Sequence, residues 1–221
     1  MSRPFVFINM AMTADGKIAN TNRKITTFGS REDHQRLLKL RTKADAILTG
    51  AGTLNAQPEI TLGPAPGQKK APARVIVSGS GQINAQHKIF RTPGAPLIVL
   101  TSERILARRL KALKAAADTV LICGANSVEF QKAFDYLADH HHVKRVLCEG
   151  GGRLNDSLFR AGWVDEVNLT VCPLILGGQS APTIADGIGF SQLADAAQFK
   201  LHRRRQIGNE MFLTYRAVRP S

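Results

Sequence analysis

Apolar runs of strand length alternate with helical patterns along almost the whole chain, and this alternation limits the folds that the chain can adopt. The predicted strands are Pro4–Met10, Ala44–Thr49, Arg74–Ser78, Pro96–Thr101, Thr119–Cys123, Arg145–Cys148, Glu166–Leu176, Phe199–Gln206 and Met211–Val218. The predicted helices are Ser30–Arg41, a helix capped by Ser102 that carries Leu106, Leu110 and Leu113 on one face, Ser127–Asp139 and Arg153–Ala161. Strands that alternate with helices pair in parallel through crossover connections, which indicates an α/β fold.

The end of the chain departs from this alternation. Only the short turn Ile207–Glu210 separates the last two predicted strands, which forces them into an antiparallel hairpin. We therefore expect a mixed, mostly parallel sheet. Glu59–Ala73 is rich in Pro, Gly and Lys and is typical of a surface loop, so the 221 residues are predicted to form one domain over residues 1–221.

The composition restricts the partners of the chain without choosing one. A formal net charge of +13 suits nucleic acid, an anionic membrane surface or phosphorylated small molecules. The basic residues are not interleaved with aromatic ones, which disfavours a platform for single-stranded nucleic acid. No apolar run approaches the roughly 18 residues of a membrane span. The three cysteines lie in strand-like runs, and no signal peptide precedes them, so we expect reduced thiols and a cytoplasmic protein.

Two glycine-rich turns follow predicted strands. The first is Thr49-Gly50-Ala51-Gly52-Thr53, and the second, Glu149-Gly150-Gly151-Gly152-Arg153, opens a predicted helix. Glycines let an anion approach the N–H groups at a helix start, so these turns favour a diphosphate ligand. Neither turn contains G-x-G-x-x-G or the P-loop pattern. A tight turn without a ligand remains the alternative interpretation.

Several short motifs resemble one family when they are taken in order. They are Met12–Ala19 (M-T-A-D-G-K-I-A), Leu40-Arg41, Ala44–Leu48, Gly52-Thr53, Glu149–Gly151, Ala161–Val167 and Pro173–Gly178. Their order and spacing resemble those of the reductase family represented by the C-terminal domain of the bacterial bifunctional riboflavin-biosynthesis deaminase–reductase. The resemblance runs from about Arg3 to Val218. The zinc signature of the fused deaminase is absent, so we expect a stand-alone reductase.

The resemblance implies a dihydrofolate-reductase-like, three-layer α/β/α fold, a homodimer and NADPH as cofactor. It implies hydride transfer to a (phospho)ribosylamino-pyrimidine, as in a 5-amino-6-(5-phosphoribosylamino)uracil reductase. The cofactor-binding residues implied are Ala11, Gly52, Thr53, Gly150, Gly151, Gly152, Arg153, Leu154 and Asn155. Ser78 and Ser80 follow an apolar strand, and their hydroxyl and backbone N–H groups suit the 2′-phosphate of NADPH.

The substrate side of the pattern is less complete. The resemblance places Glu149 at the substrate and Arg41 near its ribose-phosphate end. Gln57 stands where the family has an aspartate, and Gly63 stands near the position of a phosphate-binding arginine. Ile25 and Thr27 replace ligand-contacting side chains of the family. These departures leave open a pterin or folate-type substrate, and a non-catalytic nucleotide- or nucleic-acid-binding protein is a third hypothesis.

The reaction would need a proton as well as a hydride. The nicotinamide carries the hydride, and Glu149 and Asp15 are the predicted catalytic residues that would position a proton donor. Asp15-Gly16 is equally typical of a simple turn. His140, His141 and His142 follow directly at the end of the predicted helix Ser127–Asp139, and adjacent side chains there would point in different directions. We therefore expect an exposed helix end and no metal site.

Overall fold

The structure, a computed structural model, describes residues 3–23 and 28–219. The strands in these residues are β1 (Phe5–Thr13), β2 (Ala46–Gly50), β3 (Ala73–Val77), β4 (Leu97–Thr101), β5 (Thr119–Ile122), β6 (Arg145–Cys148), β7 (Val164–Cys172), β8 (Phe199–Ile207) and β9 (Glu210–Ala217). The α-helices are α1 (Arg31–Arg41), α2 (Ala51–Ala56), α3 (Ala107–Ala116), α4 (Phe130–His141) and α5 (Gly152–Arg160). The strands form a mixed, mostly parallel sheet, which confirms the predicted fold class.

The chain forms two compact units, the first from Met1–Pro4 and Arg41–Leu147, and the second from Phe5–Leu40 and Cys148–Ser221. In the first unit, strands β2, β3, β4 and β5 pair in parallel in that order. All five residues of β4 are buried, as expected for a parallel strand covered on both faces. The Asp45 carboxylate accepts hydrogen bonds from the backbone N–H groups of Lys144 and Arg145, both at 2.9 Å, which fixes the start of β6.

The second unit contains the antiparallel part of the sheet. Strand β1 pairs in parallel with β7, β7 pairs antiparallel with β9, and β9 pairs antiparallel with β8. The β8–β9 connection is the predicted hairpin, which is confirmed, with Gly208 at φ +57° in its turn. A single domain over residues 1–221 stays a prediction.

Most predicted element ends differ from the structure by one to three residues, and two predictions are wrong. Ser102 does not cap α3, which begins at Ala107; its hydroxyl donates to the carbonyl oxygen of Gly79 at 2.6 Å. The strand predicted over Glu166–Leu176 ends at Cys172. Pro173, which has no N–H group to donate, follows at once.

Helix α1 is attached to the sheet of the second unit through one guanidinium group. Arg36 donates hydrogen bonds to the carbonyl oxygens of Leu169 (2.9 Å) and Leu213 (2.6 Å). It also donates to polar side chains on β7 and β9, namely Asn168, Thr170 and Thr214. This partly buried charge is stabilised because both terminal nitrogens of the guanidinium group meet acceptors.

In the part of the chain that the structure describes, no helix has the length and apolar character needed to cross a membrane. His140 and His141 lie in the last turn of α4, and the His140 ring stacks on Tyr136 with 4.2 Å between ring centroids. Among residues 3–23 and 28–219, no three His, Cys, Asp or Glu side chains are grouped as metal ligands would be.

Candidate active site

The glycine turn at the start of α5 is shaped mainly by the chain's own packing. Gly150 has φ +88°, and a Cβ atom there would lie 2.8 Å from the sulfur of Met10. A Cβ atom on Gly152 would lie 2.5 Å from the carbonyl oxygen of Thr183. These two glycines are therefore required whether or not an anion binds. Gly151 is the N-cap residue of α5 and has an extended backbone conformation.

The side chains that follow in this turn differ in accessibility. Leu154 is buried, and Asn155 is fully buried. The Asn155 amide accepts a hydrogen bond from the Cys148 thiol at 3.3 Å and donates to the Ile184 carbonyl oxygen at 2.7 Å. Its side chain is thus occupied by protein partners, whereas Arg153 is exposed. Any contact of Leu154 or Asn155 with a cofactor would use the backbone.

Residues 181–189, which we call the strap, hold the first turn of α5. The Asp156 carboxylate accepts a hydrogen bond from the Gly189 N–H at 3.0 Å. Asp186 accepts from the N–H of Thr183 at 3.1 Å, and Thr183 forms an isolated bridge with Lys17. The strap therefore connects the end of β1 with α5. Its sequence has no hydrophobic periodicity, so no pattern pointed to this role.

Asp15 has the environment of a turn residue. Its carboxylate accepts hydrogen bonds from the Thr13 hydroxyl at 2.5 Å and from the N–H groups of Leu176 (3.1 Å) and Gly177 (2.7 Å). These hydrogen bonds lower the pKa of Asp15 to about 2, and the one from Thr13 has the largest effect. An aspartate held as the anion suits the turn interpretation better than the supply of a proton. Its catalytic role stays a prediction.

Ala11 and Glu149 lie in the second unit with the glycine turn. Ala11 is half-buried on β1, where it is in register with Thr170 of β7. Glu149 directly follows the last residue of β6 and is half-buried. A carboxylate at the carboxyl end of a parallel strand is where ligands of α/β sheets commonly bind.

In the first unit, the turn after β2 is open. Gly52 is exposed, and a Cβ atom built on it meets no atom within 4 Å, so the packing of the chain does not require glycine there. Thr53 is half-buried on α2. Gln57 caps the end of α2, and its carbonyl oxygen lies 2.9 Å from Nε2 of His87. The free space at Gly52 is compatible with a close-lying ligand.

The turn Ser78–Ser80 lies in the first unit at the end of β3. Its central carbonyl, that of Gly79, accepts the hydrogen bond of Ser102, which fixes the turn. Arg109 of α3 donates to the carbonyl oxygen of Ser80 at 3.3 Å. The sequence predicted Ser78 and Ser80 here but not Arg109. Nothing in the helical pattern of α3 distinguishes this arginine from its solvated neighbours.

The predicted substrate-binding residues are only partly described. Arg41 donates to the carbonyl oxygen of Gly63 at 3.1 Å, and Gln68 donates to the Arg41 carbonyl oxygen at 3.1 Å. The loop that lacks the family's arginine is therefore held against Arg41. Ile25 and Thr27 lie outside the described residues.

Comparison with known proteins identifies the family. The RibD C-terminal domain family model matches residues 4–213, so the chain belongs to this family. It is 33% identical to the 2,5-diamino-6-ribosylamino-4(3H)-pyrimidinone 5′-phosphate reductase of Methanothermobacter thermautotrophicus over 96% of this chain and 98% of that protein. The prediction of this family, and that of an enzyme of the oxidoreductase class within riboflavin biosynthesis, are confirmed.

Solved structures show the fold. A pyrimidine reductase-like protein of Corynebacterium diphtheriae superposes with a TM-score of 0.81 at 21% identity, covering 98% of this chain and 93% of that one. For RibD of Acinetobacter baumannii the TM-score is 0.79 at 21% identity, and the match covers 98% of this chain but 59% of that one. Dihydrofolate reductase of Enterococcus faecalis gives 0.55 at 12% identity, over 96% of each chain. The dihydrofolate-reductase-like fold is thereby confirmed.

The different packing of Gly152 and Gly52 gives a stability prediction. Gly152→Ala forces a methyl group against the backbone of the strap, and overpacking of this kind costs about 1–3 kcal/mol. Gly52→Ala adds its methyl group in open space within a helix, where alanine is favoured by about 1 kcal/mol. Urea unfolding of the ligand-free protein should therefore show a lower free energy of unfolding for Gly152→Ala and no loss for Gly52→Ala. Equal stability of the two variants would contradict the packing role of Gly152.

Proposed function

We propose that the chain is an NADPH-dependent reductase of 2,5-diamino-6-ribosylamino-4(3H)-pyrimidinone 5′-phosphate, and that residues 1–221 act as one reductase domain. The proposal rests on a relative of that name, which is 33% identical to this chain over 98% of the relative's length. Two further relatives of the same name are 28% and 31% identical. The RibD protein of Actinobacillus pleuropneumoniae is matched over only 58% of its length. For RibD proteins we infer the aminouracil form of the substrate. These relatives favour a pyrimidine over a pterin.

NADPH is favoured over NADH by the surroundings of the Ser78–Ser80 turn. A 2′-phosphate needs hydrogen-bond donors and a positive charge. Ser80 is half-buried and offers its hydroxyl group, and Arg109 brings its guanidinium group to the same turn. Ser78 is only 8% exposed, and its N–H donates to the Leu100 carbonyl oxygen at 2.9 Å. In the first unit, Gly52 and Thr53 provide an open surface for the rest of the dinucleotide.

For the second unit, we propose the cofactor contacts that the resemblance implies. Gly151 and Arg153 lie where α5 begins, and the first N–H groups of a helix have no partner within it and favour an anion. Ala11 would face the nicotinamide ring, which supplies the hydride when the cofactor is bound. Gly150, Gly152, Leu154 and Asn155 maintain the shape of this turn through their packing.

For the substrate, we propose the residues that the resemblance indicated. Glu149 would bind the pyrimidine, and Arg41 would face the ribose phosphate. Gln57, Ile25 and Thr27 would complete the substrate contacts. Since the expected arginine is missing near Gly63, Arg41 would carry a larger share of the phosphate binding.

The protein is proposed to be a cytoplasmic homodimer. Its cysteines, Cys123, Cys148 and Cys172, are free and buried, which suits a reducing compartment. The second unit exposes large apolar side chains at Ile175 (77%), Ile188 (85%) and Leu193 (91%), and most of β8 is exposed. Exposed apolar surface of this kind is typical of an interaction site. The occupant that we propose for it is a second copy of the chain.

Sedimentation velocity tests the dimer. The wild-type protein should sediment as a dimer, and Leu201→Asp on β8 should shift it towards monomer because it puts a charge into the proposed interface. Leu106→Asp is the matched control, since Leu106 is exposed to a similar extent (47% against 51%) but lies in the first unit. A monomeric wild-type protein, or equal effects of both variants, would refute the proposed face.

The reaction is tested by following NADPH oxidation with purified protein. Oxidation should depend on the diaminopyrimidinone phosphate, should be slower with the aminouracil form and should be absent with dihydrofolate. Binding of NADPH, measured by its fluorescence, is the control that separates a missing substrate from a missing cofactor site. Bound NADPH that neither pyrimidine oxidises would refute the proposed reaction.

Cofactor selectivity is predicted to depend on Arg109. Loss of a charged hydrogen-bond partner costs about 1.5–3 kcal/mol. Arg109→Gln should therefore weaken NADPH binding by about tenfold to a hundredfold. NADH binding should change little, because NADH lacks the 2′-phosphate. Arg108→Gln, an exposed arginine next to it on α3, should leave both cofactors unaffected. A parallel loss of NADPH and NADH affinity in Arg109→Gln would contradict the assignment, as would no change in either.

A further inference from the structure

A buried carboxylate, Glu210, lies beneath the first turn of α1. Glu210 is 8% exposed at the start of β9. Its two oxygens accept hydrogen bonds from the backbone N–H of Ser30 at 2.8 Å and from the hydroxyl of Ser30 at 2.5 Å. The thiol of Cys172 donates to the same carboxylate at 3.5 Å. Glu210 is thus held in place with its acceptors occupied.

A second carboxyl group, Asp33, lies beside this cluster and is less well satisfied. Its backbone N–H donates to the Ser30 hydroxyl at 3.3 Å, and its side chain hydrogen-bonds with Thr170. Gly29 packs directly over its Oδ2, where a Cβ atom would clash. Within residues 3–23 and 28–219, the buried Oδ1 of Asp33 has no hydrogen-bond partner. A charged oxygen left in that position is costly, and protonation removes the charge.

The surroundings of Asp33 contain influences that raise its pKa and influences that lower it. Burial is the largest influence and raises the pKa of Asp33, and the negative charge of Glu210 raises it further. The hydrogen bond with Thr170 and the positive charges of Arg36 and His34 on α1 lower it by less. On β7, burial raises the pKa of Cys172 to about 12, so this thiol is neutral. Asp33 therefore keeps a proton at higher pH than an ordinary aspartate.

Asp33 is also close to the strand position expected at the nicotinamide. Thr170, its hydrogen-bond partner, is in register with Ala11 where β1 pairs with β7. Met10, the next residue along β1 towards the N-terminus, points to the opposite face of the sheet and packs against Gly150 of the glycine turn. Asp33, Thr170, Ala11 and Gly150 all belong to the second unit.

We propose that Asp33 holds at Oδ1 the proton that the reduction consumes, an inference that rests on the proposed function. Reduction of a C=N bond, as in an opened ribosylamine, adds a hydride to carbon and a proton to nitrogen. The hydride comes from NADPH. Asp33 releases its proton to the nitrogen, becomes a carboxylate and regains a proton from water. Asp33 also supplies an acidic group in a chain that has Gln57 where the resemblance places an aspartate.

Asp33→Asn removes the proton donor and preserves the shape of the side chain. General acid catalysis contributes roughly 10²–10⁴ in rate, so kcat should fall by at least about a hundredfold. NADPH binding, measured by fluorescence, should be unchanged. Asp33→Glu should restore part of the rate. Glu32→Gln, which removes a carboxyl group from the same helical turn, is the control and should keep wild-type kcat and pH profile.

Unfolding measurements give a readout that does not depend on activity. Because the folded pKa of Asp33 is raised, its contribution to stability is complete below the unfolded pKa and is lost as the pH rises through the folded pKa. Asp33→Asn should therefore be more stable than wild type at alkaline pH, with the difference disappearing at acidic pH. A side chain needed only as a charged structural acceptor would show the opposite sign.

The two proposals fail in distinguishable ways. If the wild-type protein binds NADPH but oxidises it with no pyrimidine, the proposed function is refuted. If the wild type is active and Asp33→Asn has the same kcat and pH profile, or is less stable than wild type at alkaline pH, the role of Asp33 is refuted.

Discussion

The attachment of α1 to the second unit depends on buried charged groups, and much of the proposed chemistry depends on that attachment. Among residues Arg31–Arg41, only Leu40 is buried, so the helix has no apolar face of the usual kind. Arg36 connects it to the backbone of β7 and β9 instead, and Glu210 holds Ser30 at its start. Removal of one member of such a network leaves its partners buried and unpaired, which is strongly destabilising.

The same polar layer raises the pKa of Asp33. Burial and the negative charge of Glu210 outweigh the opposing effects of Thr170, Arg36 and His34. Oδ1 of Asp33 has no hydrogen-bond partner among residues 3–23 and 28–219, whereas the side-chain oxygens of Glu210 accept hydrogen bonds from Ser30 and Cys172. These buried carboxyl groups reduce the stability of the fold at a position that borders the proposed site of hydride transfer.

The fold was largely predictable from the sequence because its signals are local. Apolar runs, helical periodicity and the short turn before Glu210 gave the α/β alternation and the terminal hairpin, and the motif order gave the family. The site was predictable only in part. Gly152 was attributed to anion approach, but its neighbour is Thr183, and Asn155 proved to be fully buried. Ser30 and Glu210 are separated by 180 positions, so no local pattern could have revealed their hydrogen bond.

Titration of Asp33 in the folded protein tests most directly whether this side chain holds the proton that we propose. The carbon-13 shift of the Asp33 carboxyl group, followed by NMR as a function of pH, should show a pKa above the usual aspartate value of 3.8. The pKa should fall when Glu210→Gln removes the neighbouring charge. A carboxyl group that titrates at or below the usual value, with or without Glu210, would contradict the claim.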